Sequence, residues 1–229
     1  EEREAGRPLR QAPCYDRLKN YGAVFGQKFG WERANWFAPK GVEQKDDWSF
    51  RRSKWFEHVG NECKNVQENV GLLDMTAFAK CRISGPGAEN FLNNLIANKL
   101  PKKIGRVNLC HALNTKGGVL SEYTIAKEKD DSFYIVSAGA FQRLDHDWIK
   151  KWLPKDRSVT FENLTNSKGV LVIAGPKARK LMQKVSKTDF SNEKFKWLSA
   201  QNINIGLAPC NAMRVNFVGE LGWELHHPI

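Results

Sequence analysis

Residues 116–138 read KGGVLSEYTIAKEKDDSFYIVSA. Lys116-Gly117-Gly118 marks a tight turn. VLSEYTIAK then alternates in the manner of a strand, KEKDD is a short polar turn, and SFYIVSA is a second strand. Two such runs joined by a few polar residues read as an antiparallel hairpin. On the first strand Glu122 and Thr124 are two residues apart and so share one face, while Val119, Tyr123 and Ile125 take the other.

Working outward, AKCRIS (79–84) alternates like a strand, and Gly85-Pro86-Gly87 turns the chain into a helix over AENFLNNLIANKL (88–100). After the hairpin a helix is expected from Phe141 to Trp152, with Leu144, Trp148 and Trp152 on one side. Strands SVTFENL (158–164) and GVLVIAG (169–175), a helix PKARKLMQKV (176–185) and a strand NAMRVNF (211–217) complete the pattern. GELGWEL (219–225) adds a turn and a further strand. Helices interspersed with hairpins give α+β, with a mixed or antiparallel sheet and packed helices.

The N-terminal sixty residues are less regular. Trp31, Trp36, Phe37, Trp48, Phe50, Trp55 and Phe56 are too many aromatics for a free linker and require a partner surface. DWSFRRSKWFEHV (47–59) reads as a short helix anchored by Trp48, Trp55 and Phe56. ECKNVQENVGLLDM (62–75) spaces Cys63, Val66, Val70 and Leu73 by three and four, an amphipathic helix.

Composition narrows the function classes. The chain has 229 residues, 41% hydrophobic and 11% aromatic, enough to build a core without disulfides. Five scattered cysteines without CxxC pairing and five histidines without ligand spacing give no metal site. No GxGxxG follows a strand and no GxxxxGK[ST] occurs, so neither Rossmann-type dinucleotide binding nor a phosphate loop is expected. No apolar run approaches the roughly 20 residues of a membrane span, and neither a membrane nor a nucleic acid is expected as a partner. The net charge is +11. Residues 1–60 carry 12 Lys and Arg against 9 Asp and Glu, so most of the excess lies later, dispersed rather than in blocks. It reads as a solvated basic surface, as a nucleic-acid footprint or as steering for a small polyanion.

Two segments are candidates for chemistry. Asn114 opens the glycine turn that leads to Glu122 and Thr124. In GELGWEL, glycines on both sides of Glu220 permit a bend and a close approach. A carboxylate there can accept two parallel hydrogen bonds from the amino group and ring N–H of a flat heterocycle.

GELGWEL, NTKGGVLSEYTI, GLLDMTAF and RISGPGAENFLNNL together resemble the tetrahydrofolate-binding domain of the glycine-cleavage T-protein family of aminomethyltransferases. GRPLR…YDRLKNYGAVFGQKFGWERANWF resembles the segment leading into this domain in flavoenzymes of the dimethylglycine and sarcosine dehydrogenase type. The resemblance divides the chain into 1–60, the end of an FAD-dependent oxidase half, and 61–229, a folate-binding part cut short at its C-terminus. It implies that FAD belongs to a half preceding residue 1 and that a later basic contact to folate lies beyond Ile229. The flavin half would oxidise an N-methyl group of dimethylglycine or sarcosine, and the folate half would capture the one-carbon unit as methylenetetrahydrofolate.

By residue, the family's catalytic acid, usually Asp, falls at Glu122, where it would hold and exchange a proton at the pterin nitrogens. Thr124 is implied as a neighbouring folate contact, Glu220 as the grip on the pterin's amino edge, and Asp74 and Met75 as pocket lining. Leu109 stands where the family often has Tyr. The glutamate tail of folate offers a partner for the basic excess. A stand-alone aminomethyltransferase or a folate-dependent demethylase, either without flavin, is the alternative, and a non-catalytic basic folate- or nucleic-acid-binding protein is a third reading. The resemblance places the protein in bacterial cytoplasm or, in a eukaryote, in the mitochondrial matrix, and leaves the oligomeric state open.

Overall fold

The hairpin at the centre of the sequence is also at the centre of a sheet. In the computed structural model, which describes residues 3–47 and 49–229, β6 (Val119–Lys129) and β7 (Ser132–Ser137) pair antiparallel. Around them stand β5 (Val107–Leu113), β4 (Ala79–Ser84) and β8 (Thr160–Asn163), in the order β5-β6-β7-β4-β8. On β6 the expected alternation holds. Tyr123 and Ile125 are fully buried, while Glu122 is exposed and Thr124 half-buried. On β7 it vanishes, because Phe133 to Val136 are all buried. Phe133 and Ile135 pack beneath α3 (Ala88–Leu95) and α4 (Gln142–Lys151), whereas Tyr134 and Val136 face a second sheet.

That second sheet is ordered β10-β11-β12-β9-β3, from Ala200–Ile205, Ala208–Met213, Gly222–Pro228, Lys168–Ala174 and Gly71–Asp74 respectively. Its outer face packs under α5 (Ala178–Val185) through Ile173, Ile203, Ala212, Trp223 and Leu225. The inner faces meet where Met213 joins Val107, Ala126, Tyr134 and Val136. The molecule is therefore layered helix, sheet, sheet, helix, and every strand ladder is antiparallel.

The two sheets are built alike. Each begins with a strand that enters a helix through Gly-Pro: Ile83-Ser-Gly-Pro-Gly-Ala88 and Ile173-Ala-Gly-Pro-Lys-Ala178. Gly85 (φ 113) and Gly175 (φ 129) make the turn, and a Cβ at either would come within 2.5–2.6 Å of backbone oxygens. No other residue fits there. Three strands then follow in a meander. The fifth strand is exchanged, since β3, which leads into β4, pairs with β9, while β8, which leads into β9, pairs with β4. The crossovers match in detail. Asp74 and Asn163 each accept the amide of the residue two ahead, Thr76 at 2.9 Å and Thr165 at 3.0 Å. Thr76 Oγ1 accepts the Val170 amide, and Thr165 Oγ1 accepts the Lys80 amide, both at 3.1 Å.

The aromatic N-terminal segment forms α1 (Tyr15–Asn20) and an antiparallel hairpin of β1 (Ala23–Lys28) and β2 (Trp31–Phe37). Trp36, 1% exposed, stacks on His58 and shares a small core with Val24, Ala38, Trp55 and Val59. The chain itself supplies the partner surface for these aromatics. Phe50 remains fully exposed, and Trp48 lies outside the described residues.

Four element boundaries differ from the sequence pattern. The two helices expected over 47–59 and 62–75 are one, α2 (Phe56–Glu68), so residue 60, where the chain was divided, falls inside it. It ends where Asn69 leaves helical geometry (φ −132, ψ −109). Leu73, which the spacing puts on a helix face, instead pairs with β9 at an open edge beside Leu72, and the two are 45% and 61% exposed. The helix expected to run to Leu100 stops at Leu95, because Ile96 turns extended, bridges Ala112 and buries its side chain. The strand expected over 211–217 is β11 and ends at Met213.

Candidate functional site

Strand register decides what surrounds Glu122. Residues directly opposed in an antiparallel pair project to the same face. β5 and β6 place His111 opposite Glu122 and Leu109 opposite Thr124. These four make an open row on the face that, farther along β6, turns into the seam between the sheets at Ala126. Leu109 is 50% exposed, so where the resembled family carries an aromatic hydroxyl this row has an apolar surface.

Glu122 is held by one contact. Its Oε2 lies 3.1 Å from His111 Nε2, with side-chain exposures of 52% and 33%. His111 Nδ1 lies 3.1 Å from Asn98 Oδ1, and the same Oδ1 accepts the His111 backbone amide at 2.8 Å. The sequence reading missed His111 and Asn98. Counting back across the Asn114–Gly118 turn would have set His111 against Glu122, had residues 107–113 been read as a strand.

Asn114 has a local task. Its Oδ1 accepts the amides of Lys116 at 2.9 Å and Gly118 at 3.0 Å, closing the turn that launches β6. It also lines a cavity of about 460 Å³ between α3 and α4, edged by Trp148 and Trp152, on the sheet face opposite Glu122. Glu220 stands half-buried in the bend before β12, whose buried row begins only at Gly222. A Cβ at Gly222 would lie 2.2 Å from the Ile173 carbonyl, which fixes that bend.

Asp74 ends β3 and caps its crossover, and burial, aided by the Asp74 carboxylate, pushes the Cys14 thiol up to about 12. Met75 packs between the sheets with Val170, Val172 and Phe78, and its sulfur accepts from Arg33 at 3.6 Å. The structure thus brings Glu122 and Thr124 together on one row and puts Asp74 and Met75 beside the seam. Glu220 comes from the other sheet, and Asn114 serves the turn. A cavity of about 1170 Å³ lies by Lys168, Lys184, Lys187 and His226 and takes in none of the six.

The seam holds buried charge. Lys80 has no exposed surface and donates to the Thr76 carbonyl at 2.7 Å. Burial lowers its amine to about 8, opposed by the field of Asp74 and assisted by that of Lys168. Tyr134 Oη lies 3.0 Å from His226 Nδ1, and His226 Nε2 lies 3.1 Å from Glu224 Oε2. Burial pushes His226 down, against the pull of Glu224. A neutral imidazole donating to Glu224 and accepting from Tyr134 satisfies this chain completely. Among the described residues no group of three or more His, Cys, Asp or Glu is placed to hold a metal.

The family model described as "GCVT N-terminal domain" matches residues 14–229. Dimethylglycine dehydrogenase, mitochondrial, of Homo sapiens is 38% identical over 229 residues, covering 99% of this chain and 26% of the relative. The 4-methylaminobutanoate oxidase (formaldehyde-forming) of Paenarthrobacter nicotinovorans is 30% identical, covering 97% of this chain and 27% of the relative. The chain thus spans about a quarter of the length of these curated relatives. Among solved structures, the glycine cleavage system aminomethyltransferase T of Bartonella henselae superposes with a TM-score of 0.76 at 19% identity. That match covers 96% of this chain and 54% of the other, and it establishes a common fold.

Proposed function

Because the chain belongs to the GCVT N-terminal domain family, we propose that it is the tetrahydrofolate-binding part of a demethylating flavoenzyme. It captures the one-carbon unit of an oxidised N-methyl amine, dimethylglycine or sarcosine, as methylenetetrahydrofolate. FAD is bound by a flavin half outside these residues, and the protein works in bacterial cytoplasm or the mitochondrial matrix.

The observation that carries this reading is the open row of β6. Glu122 and Thr124 project side by side, and the Thr124 hydroxyl and Glu122 Oε1 take no hydrogen bond from the protein among the described residues. Glu220 is likewise unbonded, and Asn216 Nδ2, in the same bend, is a buried donor without a partner. Groups left free in this way are available to a hydrogen-bonding heterocycle, and the buried Asn216 Nδ2 would gain a partner from one. Bound tetrahydrofolate would supply the nitrogens that take up the carbon. Glu220 would hold the amino edge, Thr124 would orient the ring, and Glu122 would accept the proton released when nitrogen bonds to carbon.

The test uses the full-length protein. Glu122→Gln keeps the size and removes the proton acceptor, so one-carbon transfer to tetrahydrofolate should fall at least tenfold while amine oxidation persists. Glu220→Ala should weaken folate binding by about 1–3 kcal/mol. Parental transfer in Glu122→Gln, or equal loss of both activities, overturns the assignment. Flavin absorbance in the full-length product separates this reading from a stand-alone aminomethyltransferase, which the fold shared with the Bartonella protein also accommodates.

A further inference from the structure

We infer that His111 is a positioning residue for Glu122, locked by Asn98, and that it sets which carboxylate oxygen faces the ligand and shares that acid's proton. This rests on Glu122 being the proton-handling acid proposed above.

The argument is one of donors and acceptors. The backbone N–H of His111 donates to Asn98 Oδ1 at 2.8 Å, so that atom is the amide oxygen and not its nitrogen. The same oxygen lies 3.1 Å from Nδ1, which must therefore carry a hydrogen. Nε2 is left facing Glu122 Oε2 at 3.1 Å. An ionised Glu122 completes this contact by accepting from a second ring N–H, and a protonated Glu122 completes it by donating to a bare Nε2. In both states one proton sits between Oε2 and Nε2, and only its owner changes. Oε1 stays free.

An unassisted glutamate on an exposed strand rotates about its terminal torsion and presents either oxygen. Here the ring is fixed twice by Asn98, and it fixes the carboxylate in turn. This is the logic by which a base is oriented by a third group in proton-transfer sites. Asn98 comes from the extended segment that follows α3, where Ile96 bridges Ala112 and the Ala97 amide bonds the His111 carbonyl at 3.0 Å. The early end of that helix is what brings Asn98 to the ring.

No other ionisable side chain is bonded to the pair among the described residues. β5 offers Leu109 and β6 offers Thr124, while β7 places Val136 beside Thr124. Lys99 and Lys116, the nearest charges along the flanking segments, make no ion pair with it. The coupling is therefore between two groups.

In the full-length protein, His111→Gln and Asn98→Ala should each lower kcat for one-carbon transfer to tetrahydrofolate by about ten- to a hundredfold, the usual cost of a misplaced catalytic group. Because His111 acts through Glu122, the folate KM should stay within about twofold, amine oxidation should be unchanged, and the acid limb of the transfer pH profile should move. The Glu122→Gln, His111→Gln double variant should be no slower than Glu122→Gln alone. Impaired Glu122→Gln beside parental kcat and pH profile in His111→Gln overturns this inference alone. So does a KM effect without a kcat effect. Parental transfer in Glu122→Gln overturns the assignment of the acid, and this inference with it. Asn98→Ala keeps the ring and the acid, so it tests the locking should His111→Gln prove unstable.

Discussion

Lys80 carries an ammonium with no exposed surface and one hydrogen bond, to the Thr76 carbonyl. Its amine is lowered from 10.5 to about 8, chiefly by burial. A depressed value means that the fold resists the charged form. The stabilising contribution is therefore complete above pH 10.5 and is lost as pH falls to about 8. Lys80→Met should be at least as stable as the parent at pH 7. Between pH 8 and 10.5 the parent should gain on the variant by on the order of 3 kcal/mol. Urea unfolding of both proteins across that range reads the difference, and parallel curves would mean that water reaches the amine. Nothing in the residue pattern revealed this site, because Lys80 sits in AKCRIS at a place where alternation permits a solvent-facing lysine. The second sheet, contributed by distant chain, covers it. Asp74 and Asn114 teach the converse. Both were legible as special residues, yet their visible work is turn-making, since an Asp or Asn two residues before a backbone amide caps it wherever it occurs.

At the scale of elements, hairpins and Gly-Pro turns were plain from sequence because they obey local rules. β6, β7, β9 and α5 fall close to where the pattern put them. β3 and β5 were missed because each is a strand only by virtue of its neighbour. GLLD has helical spacing until β9 lies beside it, and RVNLCHAL lacks clean alternation. The partner of Glu122 was missed for the same reason. The seam between the sheets is the element contact that can be tested directly. Tyr134→Phe leaves His226 Nδ1 unpaired in the interior and should cost about 1–3 kcal/mol in unfolding free energy. His226 lies below its ordinary 6.5 through burial, so its contribution is full above that value and lost as pH falls. Melting temperature should therefore drop on acidification below pH 6.5 more steeply in the parent than in His226→Gln. Equal slopes would assign acid sensitivity elsewhere.

For the whole molecule, the excess charge belongs to surface rather than core. Lys168, Lys184 and Lys187 line the cavity of about 1170 Å³, and no Asp or Glu joins them there. With a net charge of +11, a ligand with several carboxylates is drawn in more strongly than one with few, and salt weakens the attraction. Tetrahydrofolate affinity of the full-length protein should show a steeper salt dependence for polyglutamyl than for monoglutamyl forms. Identical slopes would leave the charge without a part in folate capture. That the chain is α+β, and that it belongs to the GCVT N-terminal domain family, was readable because several ordered motifs span it. The helix–sheet–sheet–helix stacking was not, because no local signal tells a strand which of two sheets it will join.

The exchange of edge strands bears on how such a chain can be made. β3 has been synthesised by residue 74 but has no partner until Lys168 and its successors emerge, and β4 waits from residue 84 for β8. The sheet of β4 to β8 lies wholly within residues 79–163 and can close before β9 emerges, so a nascent chain holds the β3 edge in reserve even after its neighbour sheet is complete. Any nick between residues 85 and 159 divides both sheets at once, parting β3 from β9 and β4 from β8, so the two lose their edge strands together.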